Sequence, residues 1–275
     1  MVSINLHITN ACNYKCKFCF AHFENSKNLL RLPDWKIIID DLKEHGARKI
    51  NFVGGEPLLH PDIAEMIRYT SELGIVTTIV TNGSLLTRSI IEKIGSNVDW
   101  VGFSIDSFDE STERELGRKY KVVKEHNHIG HILEIVPLLR AKGVKIKINT
   151  VITKLTWQED MIRSIGEIGP ERWKVFQVLP IEGENDQYFE KLKITKEEFK
   201  RFTEKHSELG PIVENNEDMT GSYVMIDPQG RFFDNETGTL RYSRSILDIG
   251  VEEAFNEITF SMDKMIERKG IYDWI

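Results

Sequence analysis

Residues 12–19 read Cys12-Asn13-Tyr14-Lys15-Cys16-Lys17-Phe18-Cys19 and hold all three cysteines of the chain, in the spacing C-x3-C-x2-C. Three thiolates can hold a cubane iron–sulfur cluster, which ordinarily takes four cysteine ligands. One iron then lacks a protein ligand and can bind a small molecule. A disulfide with one thiol left over suits an intracellular chain poorly. A zinc site would need a fourth ligand, for which His7 and His22 are the candidates. Phe18, just before the last cysteine, fits a short loop whose apolar side chain keeps water off a cluster.

The rest of the composition bounds what such a centre can serve. The chain has 275 residues, 40% of them hydrophobic, enough for one large domain or a barrel with a tail. Its net charge of −7 argues against nonspecific nucleic-acid binding, which needs a basic footprint. The N-terminus enters a strand pattern at once, without a charged-then-apolar leader. No run approaches the ~18 apolar residues of a membrane span. A soluble, cytoplasmic chain without membrane association is expected.

Outward from the cysteines, strand and helix patterns alternate. Strand-like runs occur at Ser3–Thr9, Lys49–Val53, Val76–Thr81, Trp100–Ile105, Lys145–Val151 and Trp173–Leu179. Helix-like runs lie at Pro33–Glu44, Pro61–Leu73, Thr87–Ile94, Ile129–Ala141 and Asp160–Ile168, with Gly46, Gly74 and Gly143 closing three of them. Such alternation means a parallel sheet with crossover helices. Six strands are too few for a closed eight-fold barrel, so the fold class is α/β, a partial (βα)6 barrel over residues 1–180. After Leu179 the rhythm breaks. Residues 181–275 read as an α+β extension: a polar loop at Ile181–Asn185, a helix at Thr195–Glu208, a hairpin at Tyr223–Phe233, a turn-rich stretch at Asp234–Arg244 and helix in two pieces at Glu252–Lys269.

The strands carry one apolar and one polar face. Ile4, Leu6 and Ile8 alternate with Asn5, His7 and Thr9; Ile50 and Phe52 with Lys49 and Asn51; Ile146 and Ile148 with Lys145, Lys147 and Asn149. Crossover helices cover the apolar face of a parallel sheet, so the polar face reads as an open lumen for a large polar ligand. Lys49, Lys147, Arg172 and Lys174 bring cations to it. Buried cations need anions, with Asp106 the candidate within the chain and phosphate groups the natural ligand.

The cysteine motif, followed after one helix by Gly54-Gly55-Glu56-Pro57, resembles the radical SAM superfamily. That resemblance implies a [4Fe-4S] cluster on Cys12, Cys16 and Cys19, with S-adenosylmethionine (SAM) chelated by the open iron and its amino end met by Gly54, Gly55 and Glu56. Further words narrow it. Asn5-x-His7-x-Thr9 before the cysteines, Lys49-Ile50-Asn51-Phe52, Asn82-Gly83-Ser84, Asp106-Ser107-Phe108-Asp109-Glu110, Arg172-Trp173-Lys174-Val175-Phe176-Gln177, Ile181-Glu182-Gly183-Glu184-Asn185 and Ser245-Ile246-Leu247-Asp248 resemble the viperin family over nearly the whole chain.

The implied activity is that of a radical SAM lyase. A 5′-deoxyadenosyl radical takes the ribose 4′ hydrogen of a nucleoside triphosphate, CTP favoured over UTP or GTP. The product is a 3′-deoxy-3′,4′-didehydro nucleotide, a chain terminator in antiviral defence. An electron donor is implied, and an iron–sulfur assembly factor is a candidate partner. Lys49, Lys147, Arg172 and Lys174 would hold the triphosphate, and Asn5 and Asn149 the ribose hydroxyls. Asn82 and Ser104 are candidates for SAM contact, with turn capping as the alternative. Arg118 is a candidate for base or phosphate contact, with a solvated loop arginine as the alternative. Tyr223 is a candidate proton or hydrogen donor, or a core tyrosine. His126, His128 and His131 read as a polar helix start, and Trp35, Trp157 and Trp274 as packing. Two departures from animal viperins stand out: no N-terminal amphipathic helix, and Lys119-Tyr120-Lys121-Val122-Val123 where those proteins have a glycine-containing segment. Rival readings are a radical SAM enzyme acting on a peptide or tRNA, and a nonenzymatic iron–sulfur scaffold.

Overall fold

The computed structural model of the chain describes residues 2–23, 29–118 and 127–274. The 119–123 loop and His126 lie outside the described residues. The parallel core contains β1 (Ser3–His7), α1 (Leu32–Glu44), β2 (Lys49–Val53), α2 (Ile63–Glu72), β3 (Val76–Thr81), α3 (Arg88–Ile94), β4 (Trp100–Ser104), α4 (Glu110–Leu116), α5 (His128–Arg140), β5 (Lys145–Ile152), α6 (Ile162–Ile168) and β6 (Arg172–Gln177). Beyond it come α7 (Asp186–Leu192), α8 (Lys196–Lys205), β7 (Ile212–Glu214), α9 (Asn216–Met219), β8 (Val224–Ile226), β9 (Arg231–Asp234), β10 (Arg241–Ser245), α10 (Ile246–Phe255) and α11 (Met262–Glu267).

Among the described residues the strands make one sheet, ordered β10-β9-β8-β1-β2-β3-β4-β5-β6-β7. Strands β1 to β6 pair in parallel, so the partial (βα)6 barrel is present. The residues after 180 add to both of its edges: β7 pairs in parallel with β6, and β8 in parallel with β1. β9 and β10 continue outward as antiparallel partners.

The apolar strand face packs against the helices. Ile4, Leu6, Ile50, Phe52, Ile79, Val101, Phe103, Ile146, Ile148 and Val175 are all fully buried, in one cluster with Trp35 and Ile38 of α1, Met66 and Ile67 of α2, and Ile132 and Leu139 of α5. Helix starts follow local chemistry: Thr87 accepts from the Ile90 amide at 3.3 Å, and Thr195 with Glu198 forms a capping box.

Several expectations need correcting. Helices α4, α7 and α9 and strand β7 do not announce themselves, because elements of three to seven residues are too short to show a period. The 234–244 stretch is not all turn, since β10 takes its second half. β10 is an edge strand whose Arg241 and Arg244 face solvent, paired with Asp234 at 3.1 Å and with Glu257. Charged edges lack the apolar alternation that marks inner strands. The hairpin expected at Tyr223–Phe233 is present as β8 and β9.

Candidate active site

The polar strand face lines a cavity of about 350 Å³, with Asn5, Asn51, Ser104, Lys147, Asn149 and Lys174 on its wall together with Cys12, Cys16 and Cys19. The cysteines follow the C-terminal end of β1, where a parallel sheet opens its crevice. The loop holding them is clamped from two sides. On one, the Gly55 amide donates to the Thr9 carbonyl at 2.7 Å and the Glu56 amide to Ala11 at 2.8 Å. A Cβ at Gly54 would stand 2.7 Å from the Thr9 oxygen, and one at Gly55 would run into the Ala11 oxygen. The close approach these glycines permit is therefore to the cysteine loop itself.

On the other side, the Lys15 and Lys17 amides donate to the Gly117 and Leu116 carbonyls at 3.1 and 2.9 Å, docking the loop on the end of α4. Gly117 has φ +89°, and a Cβ there would meet the Lys15 carbonyl. Sequence reading gave Gly117 no role.

Burial pushes the Cys16 thiol up, and the Cys19 thiol to about 11. A buried thiol becomes a ligand only where a metal centre compensates its charge. His7 lines the same cavity. Its ring sits edge-on to Phe20, Phe23 and Phe233, and burial lowers its pKa to about 3. Three thiols spread along one loop suit a cluster in which each binds a different iron.

Around the thiols the end of the sheet is knitted together. Glu56 is fully buried and accepts from the Leu58 amide at 3.1 Å, the Thr81 hydroxyl at 2.6 Å and the Asn82 amide at 2.8 Å; burial still raises its pKa to about 7. The Asn82 side chain donates to Asn13 at 2.8 Å and accepts from the Ser84 amide at 2.9 Å, so it caps its own turn while lining the cavity. Arg118 is no solvated loop residue. It is buried, ion-paired to the fully buried Asp106, and lies 5.4 Å over the Phe18 ring. Asp106 is thus spoken for by Arg118 and by the Val151 amide, 2.7 Å away, rather than by the lysines.

The cations form a second group on the cavity wall. Lys147 crosses over Gly102, where a Cβ would stand 2.8 Å from its Cε. Burial first, then the charges of Lys174 and Arg172, lowers Lys147 to about 7. Lys174 falls to about 8 for the same first reason, although it is ion-paired to Glu214. Glu214, from β7, is fully buried. Burial alone would raise it, but Lys174 and Arg268 hold it low.

Arg268 stands 3.5 Å from Glu214, donates to the Ser222 carbonyl at 2.9 Å, and lies 3.6 Å over the Tyr223 ring. Tyr223 accepts from Lys174 at 2.9 Å and donates to Glu214, so its hydroxyl belongs to the cation group rather than to the core. One carboxylate faces Lys147, Lys174 and Arg268, a cationic excess that an anion would relieve. Glu214 and Arg268 were not singled out in the sequence as site residues, because only tertiary folding brings them to β6.

Lys49 and Arg172 are not among the residues that line the cavity, though both stand close enough to Lys147 to act on its charge. Each opens its strand, and the C-terminal tail covers both: Lys49 donates to the Tyr272 hydroxyl at 2.9 Å, and the Arg172 guanidinium lies 3.9 Å over the Tyr272 ring. Asn5 accepts from Asn51 at 2.8 Å, whereas Asn149 keeps a buried carbonyl oxygen without a hydrogen-bond donor from the protein. His128 joins Glu113 at 2.9 Å and the Asn82 carbonyl at 2.7 Å, in the scaffold behind the site. Trp35 and Trp274 are buried and Trp157 packs against the core.

Residues 6–165 match the family model described as the radical SAM superfamily. A protein of Flammeovirga pacifica named S-adenosylmethionine-dependent nucleotide dehydratase is 42% identical over 280 residues, covering 99% of this chain and 96% of its own length. One of Oncorhynchus mykiss, named S-adenosylmethionine-dependent nucleotide dehydratase RSAD2, is 37% identical over 283 residues, covering 99% of this chain and 80% of its own. Among solved structures, anSMEcpe with bound AdoMet and Cp18Cys peptide is similar at TM-score 0.71 and 17% identity, over 99% of this chain and 84% of that one. SuiB of Streptococcus suis bound to S-adenosylmethionine is similar at TM-score 0.64 and 19% identity, over 84% of this chain, which spans 59% of SuiB. At such identities the likeness is one of fold. No helix among the described residues is long and apolar enough to cross a membrane.

Proposed function

Because the chain belongs to the S-adenosylmethionine-dependent nucleotide dehydratases of the radical SAM superfamily, we propose that its cavity takes a nucleoside triphosphate, CTP favoured over UTP or GTP, and removes its 3′-hydroxyl as water. The [4Fe-4S] cluster and SAM supply, when bound, a 5′-deoxyadenosyl radical that takes the ribose 4′ hydrogen. Cys12, Cys16 and Cys19 hold the cluster, and Gly54, Gly55, Asn82 and Ser104 form the SAM side of the cavity, with the buried Glu56 supporting them from behind.

The observation that carries the reading is the excess of buried cations in the cavity that the three cysteines also line. Lys147 and Lys174 bind phosphate oxygens through charge-assisted hydrogen bonds, with Lys49, Arg172 and Arg268 completing the group of cations around them. Asn5 and Asn149 orient the ribose, the open Asn149 oxygen accepting from a hydroxyl. Tyr223, bonded to Lys174 and Glu214, gives the proton that leaves with the 3′-hydroxyl. An electron donor completes the reaction.

The 3′-deoxy-3′,4′-didehydro product lacks the hydroxyl a polymerase extends, so it terminates chains and serves antiviral or anti-phage defence. In this reading residues 1–180 carry the radical chemistry and 181–275 complete and cover the nucleotide site. A reducing cytoplasm, which keeps the three thiols available to iron, is where the enzyme works.

Anaerobic incubation with SAM, dithionite and each triphosphate in turn tests this. One triphosphate should raise 5′-deoxyadenosine formation and be converted to its didehydro product. Deoxyadenosine formation indifferent to every triphosphate would transfer support to a peptide or tRNA substrate.

A further inference from the structure

The stretch Ile181-Glu182-Gly183-Glu184-Asn185 has no part in the chemistry above, yet it is bonded on two sides. Asn185 is 2% exposed. Its side-chain oxygen accepts from the Ile181 amide at 3.0 Å, and its amide group donates to the Leu179 carbonyl at 2.9 Å. Those bonds shape its own turn. The remaining donor reaches 167 residues back, to the Phe18 carbonyl at 3.2 Å. An asparagine serving only a turn has no need of that partner.

The Phe18 carbonyl and the Cys19 amide are two ends of one peptide plane. The amide end donates to the Cys16 carbonyl at 3.2 Å. With Asn185 on the other end, the plane is held at both edges, which fixes the direction in which the Cys19 side chain leaves the loop. Neighbouring contacts act the same way. Glu184 accepts from the His22 amide at 2.6 Å, and the Lys17 ammonium lies 5.6 Å over the Tyr188 ring of α7. On its far side the stretch is joined to the β9–β10 turn, where the Glu182 amide donates to the Gly238 carbonyl at 2.9 Å.

We propose that Asn185 is a positioning residue for the cluster, its amide holding the Phe18–Cys19 peptide and so the aim of the Cys19 thiol, within a clasp at 181–185 that ties the cluster loop to the β9–β10 turn.

Hydrogen exchange on the full chain, free of metal, tests this with Asn185→Ala and Asn185→Asp. Exchange across Cys16–His22 should quicken roughly ten-fold in the alanine variant, the loss of one buried hydrogen bond. It should quicken further in the aspartate variant, which sets a carboxylate against two carbonyl oxygens. Peptides of β2 to β5 should be unchanged. In the reconstituted holoenzyme the reduced-cluster electron paramagnetic resonance spectrum with SAM should shift. Unchanged exchange at Cys16–His22 in both folded variants overturns the proposal. Should neither fold, Glu184→Gln decides it: exchange at the His22 amide should rise about three-fold, and an unchanged rate overturns the clasp. None of these readouts involves a nucleotide, so their failure leaves the dehydratase reading standing.

Discussion

Single glycines set how closely the backbone packs around the cysteine loop. Gly55 lies against the Ala11 carbonyl and Gly117, at φ +89°, against the Lys15 carbonyl, so the cysteine loop is held between two backbones with no room for a methyl group. For Gly117→Ala the left-handed backbone alone costs about 1–2 kcal/mol, and the clash must then be relieved by moving the loop. Both Gly55→Ala and Gly117→Ala are expected to fold but to retain less iron and sulfide per chain after reconstitution. Wild-type iron content with an unchanged melting temperature would refute this. The glycine pair at 54–55 was legible in the sequence as part of a motif. Gly117 was not, because its importance lies in a contact with a loop a hundred residues away in the chain.

At the scale of elements, the C-terminal hairpin arm joins a paired strand to an exposed turn. β10 is paired with β9 and its arginines are bridged to Asp234 and Glu257. The turn between them presents Asn235 to the cavity while exposing residues 236–238. Elements with little apolar burial are those that open and close most readily, and a radical site gains from excluding water. Hydrogen exchange should therefore slow at residues 235–240 on adding the triphosphate, while β10 amides change little. Equal rates with and without saturating nucleotide would exclude a lid at this turn. The six inner strands were legible because strand-like and helix-like runs alternate along the chain, and several of the strands also alternate apolar and polar faces. β7, β10 and the short helices were not, since neither length nor edge position imposes a pattern.

Across the whole molecule, the cation-bearing part of the cavity wall is electrostatically poised for an anion. Lys147 is held near 7 and Lys174 near 8, by burial first and neighbouring charge after. In the unfolded chain both titrate at about 10.4. Between the folded and unfolded values the unfolded chain binds more protons, so stability of the nucleotide-free enzyme should rise as pH climbs from about 7 towards about 10. A bound triphosphate favours the charged lysines. Binding at pH 8 should then take up about one proton, and affinity should fall as pH rises from about 7 to about 9. Calorimetry in buffers of different ionisation enthalpy measures the uptake, and proton release on binding would contradict it. By itself the sequence determined the barrel, the cluster loop and the lysine-bearing strand faces, because period, spacing and motif are properties of neighbours along the chain. Only the tertiary structure decided that Glu214, Arg268 and Tyr272 gather at the cations, that Asp106 belongs to Arg118, and that Asn185 meets Phe18. Most of those partners come from segments far apart in the chain that meet only where residues after 180 add strands to both edges of the sheet.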